Sequence, residues 1–308
     1  MISIAHSATA LSPGATRLCR ALARPRVLAI LGVSVLAALG WVYLGMMVGR
    51  AARAGLGPGM GLIDGLLTGR FDAFGGALPD VLCRPTFAQA PVHLAMPAGA
   101  LAVVYLMWSA MTFAMMLPTA GPMVLTYAEI AETAVARGER AVSPLVLTAG
   151  YAVVWLGFAL AATALQGVLT RLALLDPPPV STSMLLSDAV FIGAGAYQFS
   201  ALKARCVTLC QRPFPYLFAN WRSESVAVFG LGLRQGLHCL GCCWALMLVM
   251  FAVGVMNVVW MAALGVIMAL EKSASTTRFS RAVGVVFIAT GAALCVSSIM
   301  GQWSARAG

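Results

Sequence analysis

Charge is what this sequence has least of. Asp, Glu, Lys and Arg make up 10% of its 308 residues, and 61% of the chain is hydrophobic. A soluble domain carries charge on about a quarter of its residues. Too little polar surface exists here to cover a soluble globule of this length. Acids are scarcer than bases, ten against twenty, and the net charge is +10. In a soluble protein that balance would suggest nucleic acid. Here most basic residues flank apolar runs, as membrane topology requires, so nucleic acid is set aside as a partner. Catalytic signatures are missing too: the chain has no nucleophile elbow, Walker loop, HExxH or haem-attaching CxxCH. An enzyme is therefore the weaker expectation, and no ATP-binding segment is present to drive pumping. The segment GLGLRQG at 230–236 follows no strand, and its glycines four apart, Gly232 and Gly236, predict a close helix contact instead.

What remains is a polytopic, all-α transmembrane helical bundle with the lipid bilayer as its main partner. Residues 1–26 form a basic tail carrying Arg17, Arg20, Arg24 and Arg26, read as cytoplasmic. The apolar run 27–48 is longer than the 7–15 residues of a cleavable signal core and matches a bilayer crossing, so it is read as a signal-anchor. Residues 49–97 are broken by Gly and Pro and form an extracytoplasmic loop region. The core, 98–300, holds spans near 98–127, 145–169, 184–202, 282–300 and two within 226–270, where the chain turns at about 254–257. A tail, 301–308, ends it. The count is about seven spans, or six if one segment is re-entrant. With the N-terminus inside, fourteen of the twenty basic residues fall on the inner side, which satisfies the positive-inside rule.

Sulfur is what the sequence has in quantity, with eight cysteines and seventeen methionines. Five of the cysteines fall in two clusters: Cys206 and Cys210 in KARCVTLCQRP, and Cys239, Cys242 and Cys243 in GLHCLGCCW, beside His238. Cys206 and Cys210 share a helix face, as do Cys239 and Cys243. Thiolates at these spacings can converge on one soft cation, with Cu(I) first and zinc second. A reducing cytoplasmic face keeps them available. Nearby Lys203, Arg205, Arg212 and Arg234 favour the thiolate form. Single cysteines such as Cys19 and Cys295 are read as small hydrophobes. Met107, Met111 and Met115 recur every four residues, with Met116 and Met123 beside them and Met256 and Met261 on a later span. Thioethers ligate Cu(I), although methionine also fills gaps in helical cores. Asp72, Asp80, Cys83 and His93 are read as a solvated loop.

The motifs MWSAMTFAMMLPTAGPM (107–123), GYAVVWLGF (150–158), GAYQFSALKARCVTLCQRP (195–213), GLRQGLHCLGCCWALM (232–247) and GVMNVVWMAALGVIMALEK (254–272) carry a resemblance. The chain resembles a bacterial family of integral membrane proteins predicted to bind metal, some labelled copper-chaperone-like. The resemblance covers about residues 98–295 and implies an inner-membrane protein that handles copper. It implies Cys206, Cys210, Cys239, Cys242 and Cys243 as metal ligands, with Met111, Met115 and Met116 as secondary ones. His238 stands where other members often carry another residue, so its place as a ligand is less general. The expected function is binding Cu(I) for metal handling, or for delivery to a maturing metalloenzyme or a metallochaperone. The alternatives are a membrane thiol-disulfide oxidoreductase and a non-catalytic accessory subunit of a membrane complex.

Overall fold

Alanine, leucine and valine without interruption by charge make long helices, and every described element is one. The computed structural model describes residues 25–53, 98–171, 181–253, 257–273 and 278–307. In chain order these form α1 (Pro25–Arg53), α2 (Ala98–Ala136), α3 (Pro144–Arg171), α4 (Ser181–Tyr197), α5 (Ala201–Gln211), α6 (Pro213–Ala219), α7 (Ser225–Val253), α8 (Val258–Ser273) and α9 (Arg278–Ala307). The tail and most of the 49–97 loop region, including Asp72, Asp80, Cys83 and His93, lie outside the described residues, as do Cys19 and Met256.

The all-α reading stands. Among the described residues α1, α2, α3, α7 and α9 are long and apolar enough to cross a membrane, five of the about seven spans expected. The other two expected spans are α4, with 17 residues, and α8, with 16. At 1.5 Å per residue these reach about 26 and 24 Å, short of a hydrocarbon core about 30 Å thick. The apolar run that suggested a span to residue 202 is cut after Tyr197. Backbone turns carry the chain through Gln198 and Phe199, and the Ser200 side chain then caps a new helix by accepting from the Lys203 amide.

Helix α2 keeps Pro118 and Pro122 in its interior without breaking. Proline removes the donor that would serve the carbonyl four residues back. For Pro118 that carbonyl belongs to Ala114, and the indole of Trp41 on α1 donates to it at 3.1 Å. The helix therefore runs on through Glu129 and Glu132 to Ala136, past the residue 127 at which the span is expected to end. It stops where Gly138 takes φ +81°, the left-handed conformation common just past helix ends. Arg26, at the start of α1, lies 3.7 Å from Glu129 and donates its amide to Glu132. The start of α1 and the end of α2 are thus at one end of the bundle, and the two helices run antiparallel.

The crossing that positions the functional region is α3 on α7. A Cβ at Gly150 would meet the Phe229 carbonyl oxygen, one at Gly232 the Leu147 carbonyl oxygen, and one at Gly236 the Val154 side chain. The expected role of Gly232 and Gly236 is therefore seen: they let two backbones touch, as small residues do in membrane bundles. A Gly232→Ala substitution should cost about 1–3 kcal/mol through overpacking. By contrast, Gly157→Ala on α3, which meets nothing within 4 Å, should be neutral or slightly stabilising. Thermal unfolding of the two variants in detergent checks the difference, and equal behaviour would contradict the crossing.

Candidate metal centre

Helix α7 runs 29 residues, and Cys239 is at its centre, fourteen from Ser225 and fourteen from Val253. The cysteines had been expected at the cytoplasmic mouth of the span. They lie instead about 21 Å along the helix from either end. The sequence misleads here because Arg234 and His238 resemble interfacial flanks. In fact Arg234 is an exposed residue nine positions into the helix, where a long side chain can snorkel toward the polar boundary.

Around that midpoint the sulfurs gather. The Sγ atoms of Cys239, Cys242 and Cys243 lie within 4.8 Å of one another, all buried. Cys242 and Cys243 Sγ are 3.2 Å apart, and the Cys242 thiol donates to the Cys239 carbonyl at 3.1 Å. Helix α5 adds a fourth thiol: Cys210 Sγ is 4.0 Å from Cys242 Sγ. The two cysteine clusters do converge, through Cys210. Cys206, also on the buried face of α5, abuts Gly241, where a Cβ would come within 2.6 Å of its sulfur. His238 faces away from the thiols, its ring edge-on to Tyr216 of α6 at 5.5 Å. One residue along a helix turns the side chain by about 100°, enough to take it out of the cluster.

Two residues complete the centre that spacing could not reveal. Tyr151, next to Gly150 at the close crossing, brings its hydroxyl to 2.9 Å from Cys239 Sγ and 3.2 Å from the Met116 carbonyl. Lys272, at the end of α8, donates to Cys239 Sγ at 3.1 Å and to the Thr119 hydroxyl at 2.5 Å. An ammonium touching a buried thiol stabilises its thiolate. The signal for Lys272 was its place directly after Glu271 at the end of an apolar helix, but a basic residue there reads equally as a topological flank.

Glu271 holds the wall of the centre. Its carboxylate takes two hydrogen bonds from Lys203 Nζ on α5, at 3.0 and 2.8 Å, and both side chains are 1% exposed. Gln211 donates to the Glu271 carbonyl at 2.8 Å. Helix α5 is thereby pinned at both ends, with Lys203, Cys206, Val207 and Cys210 on its inner face. Met111, Met115 and Met116 are buried on α2, with the Met116 backbone at the Tyr151 hydroxyl.

A polytopic bundle whose centre is four cysteine thiols, a tyrosine hydroxyl and an ammonium offers soft anionic donors to a soft cation. A family model described as PpoB2, copper chaperone, matches residues 105–294. The chain belongs to the PpoB2 copper chaperone family. All residues of the thiol centre, from Thr119 to Lys272, fall within the PpoB2 match. No curated protein and no solved structure matches the chain.

The buried pair yields a prediction. Glu271→Gln leaves Lys203 buried without its counter-charge and should cost about 3–5 kcal/mol. Removing both charges, as Lys203→Met with Glu271→Leu, should recover most of that loss. Unfolding temperatures of the three proteins in detergent decide it, and a double variant as unstable as the single one would contradict the pairing.

Proposed function

We propose that this chain is a multi-pass inner-membrane protein that binds Cu(I) at Cys239, Cys242 and Cys243 and passes it to a maturing metalloenzyme or a soluble metallochaperone. The observation that carries the proposal is the convergence of three buried thiols with Cys210 from a second helix. In this reading Cys210 is the fourth ligand, and Cys206 stands behind it. Met111, Met115 and Met116 are softer donors that lie outside this thiol set, and His238 serves the wall rather than the metal. The copper is cargo, and the donor chemistry fits it: thiolates prefer Cu(I) to harder ions.

Charge balance supports a monovalent ion. Two thiolates around Cu(I) carry one net negative charge, and the Lys272 ammonium at Cys239 cancels it. A neutral assembly is the least costly one in a low-dielectric interior. Zinc would reach the same neutrality only by ionising a third thiol, which makes it the competitor for any binding assay. In this reading the chain crosses seven times with its N-terminus in the cytoplasm. Helices α4, α5 and α6 make one broken crossing and the short α8 makes another. Broken backbone at membrane depth is tolerated where protein surrounds it, and the pinning of α5 to α8 supplies that surround.

Purified protein loaded anaerobically with Cu(I) should keep copper against a strong Cu(I) chelator. The Cys239→Ser/Cys242→Ser variant should lose that retained copper by at least about tenfold, because two of the anionic donors are gone. Elemental analysis after dialysis measures it. Equal retention in the variant would refute the thiol centre as the copper site.

A further inference from the structure

Outward from the thiols, the bundle is lined with thioethers from three helices. Four contacts set the register. Tyr151 ties Met116 of α2 to Cys239 of α7, and Lys272 ties Thr119 to Cys239. Further along, the rings of Trp108 on α2 and Phe251 on α7 are 5.0 Å apart. Helices α2 and α7 therefore run antiparallel, and the segments 108–116 and 239–251 flank the same slab, about 12 Å deep along α2. Fourth, Gly265 of α8 faces Met115, with a Cβ there only 4.0 Å from the Met115 side chain.

Into this slab fall Met111 and Met115 from α2 and Met247 and Met250 from α7. Met261 and Met268 of α8 lie on its Gly265 face, one turn to either side. All six are at most 3% exposed. Met247 and Met250 continue the Cys239–Cys243 stripe at helical spacing. Ordinary packing of a lipid-embedded core uses Leu, Ile and Val, yet the α2 stretch lining the slab, MWSAMTFAMM at 107–116, contains none of the three. Sulfur has been placed where a branched aliphatic would pack with better-defined rotamers.

We infer that these methionines form a second, thioether-only site for Cu(I), distinct from the thiol centre and on the side of it toward Trp108 and Phe251. Thioethers are neutral, so they hold Cu(I) more weakly than thiolates and release it downhill to Cys243 and Cys239. The transfer is ligand exchange: copper–thioether bonds break, copper–thiolate bonds form, each thiol not already ionised releases its proton to water, and the copper stays Cu(I). The site gives the chain a direction of loading, from the α2 N-terminal end toward the thiols. The inference rests on the copper reading above for its cargo, but not on the thiols for its ligands.

Two variants of the full chain test it, each titrated anaerobically with Cu(I) in detergent without a competing chelator. Copper content and sulfur coordination are read by elemental analysis and X-ray absorption. Cys239→Ser/Cys242→Ser/Cys243→Ser should still bind about one equivalent of copper through thioether sulfur. Met111→Leu/Met115→Leu/Met250→Leu, which nearly conserves volume, should lose about one equivalent and keep the copper that resists chelators. If the serine variant folds and binds none, or the leucine variant loses none, the thioether site is overturned. If the serine variant does not fold, the leucine variant alone decides. Copper bound by the serine variant but absent from the leucine variant would sink the thiol centre and leave the thioether site standing.

Discussion

Two opposite charges on adjacent residues, buried Glu271 and half-buried Lys272, face into the bundle, and the site depends on both. Neighbours on a helix point in directions about 100° apart, so one pair of residues can serve two walls. Glu271 takes the Lys203 ammonium and so fixes α5 against α8. Lys272 turns to Cys239 and Thr119 and so joins α8 to α7 and α2. An unpaired charge at such a depth costs several kcal/mol. Each is therefore held by its partner, and α5, α7, α8 and α2 are held with them. The thiols are assembled by that constraint as much as by their own spacing.

The same constraint explains why the centre is buried rather than interfacial. A cluster of reduced thiols at a membrane surface would be open to oxidants and to stray metals. At the middle of α7, with α3 in close contact through Gly150 and Gly232 and α5 closing the remaining side, access is restricted to routes the protein provides. Cys210 is the least buried of the four clustered thiols and lies on the 11-residue helix α5. The thioether slab leads away in the other direction.

Much of this was legible in the sequence, for physical reasons that can be named. Hydropathy reports burial in lipid directly, so the long helices α1, α3, α7 and α9 were visible, as was the division of the 226–270 run into two helices, α7 and α8. Helical spacing places Cys239 with Cys243 and predicts the close approach at Gly232 and Gly236. The contact of Cys210 with Cys242 depends on how α5 returns under α7. No periodicity carries that information. Depth was misjudged because Arg234 and His238 look like a boundary, whereas a snorkelling arginine can stand well inside a helix. Tyr151 and Lys272 were missed for a related reason: each looks ordinary in its own helix, and only the register between helices gives it a role. His238 was drawn into the candidate set by adjacency in sequence, which on a helix sends it to another face.

The central claim is that the buried thiols hold Cu(I) in the living membrane. Metal content and the copper absorption edge of the protein, purified anaerobically from its native membrane, test it most directly. The account predicts copper at about one per chain or more, all Cu(I) and coordinated by sulfur. Protein that carries zinc or no metal, with Cys239, Cys242 and Cys243 all free to alkylate, would contradict it.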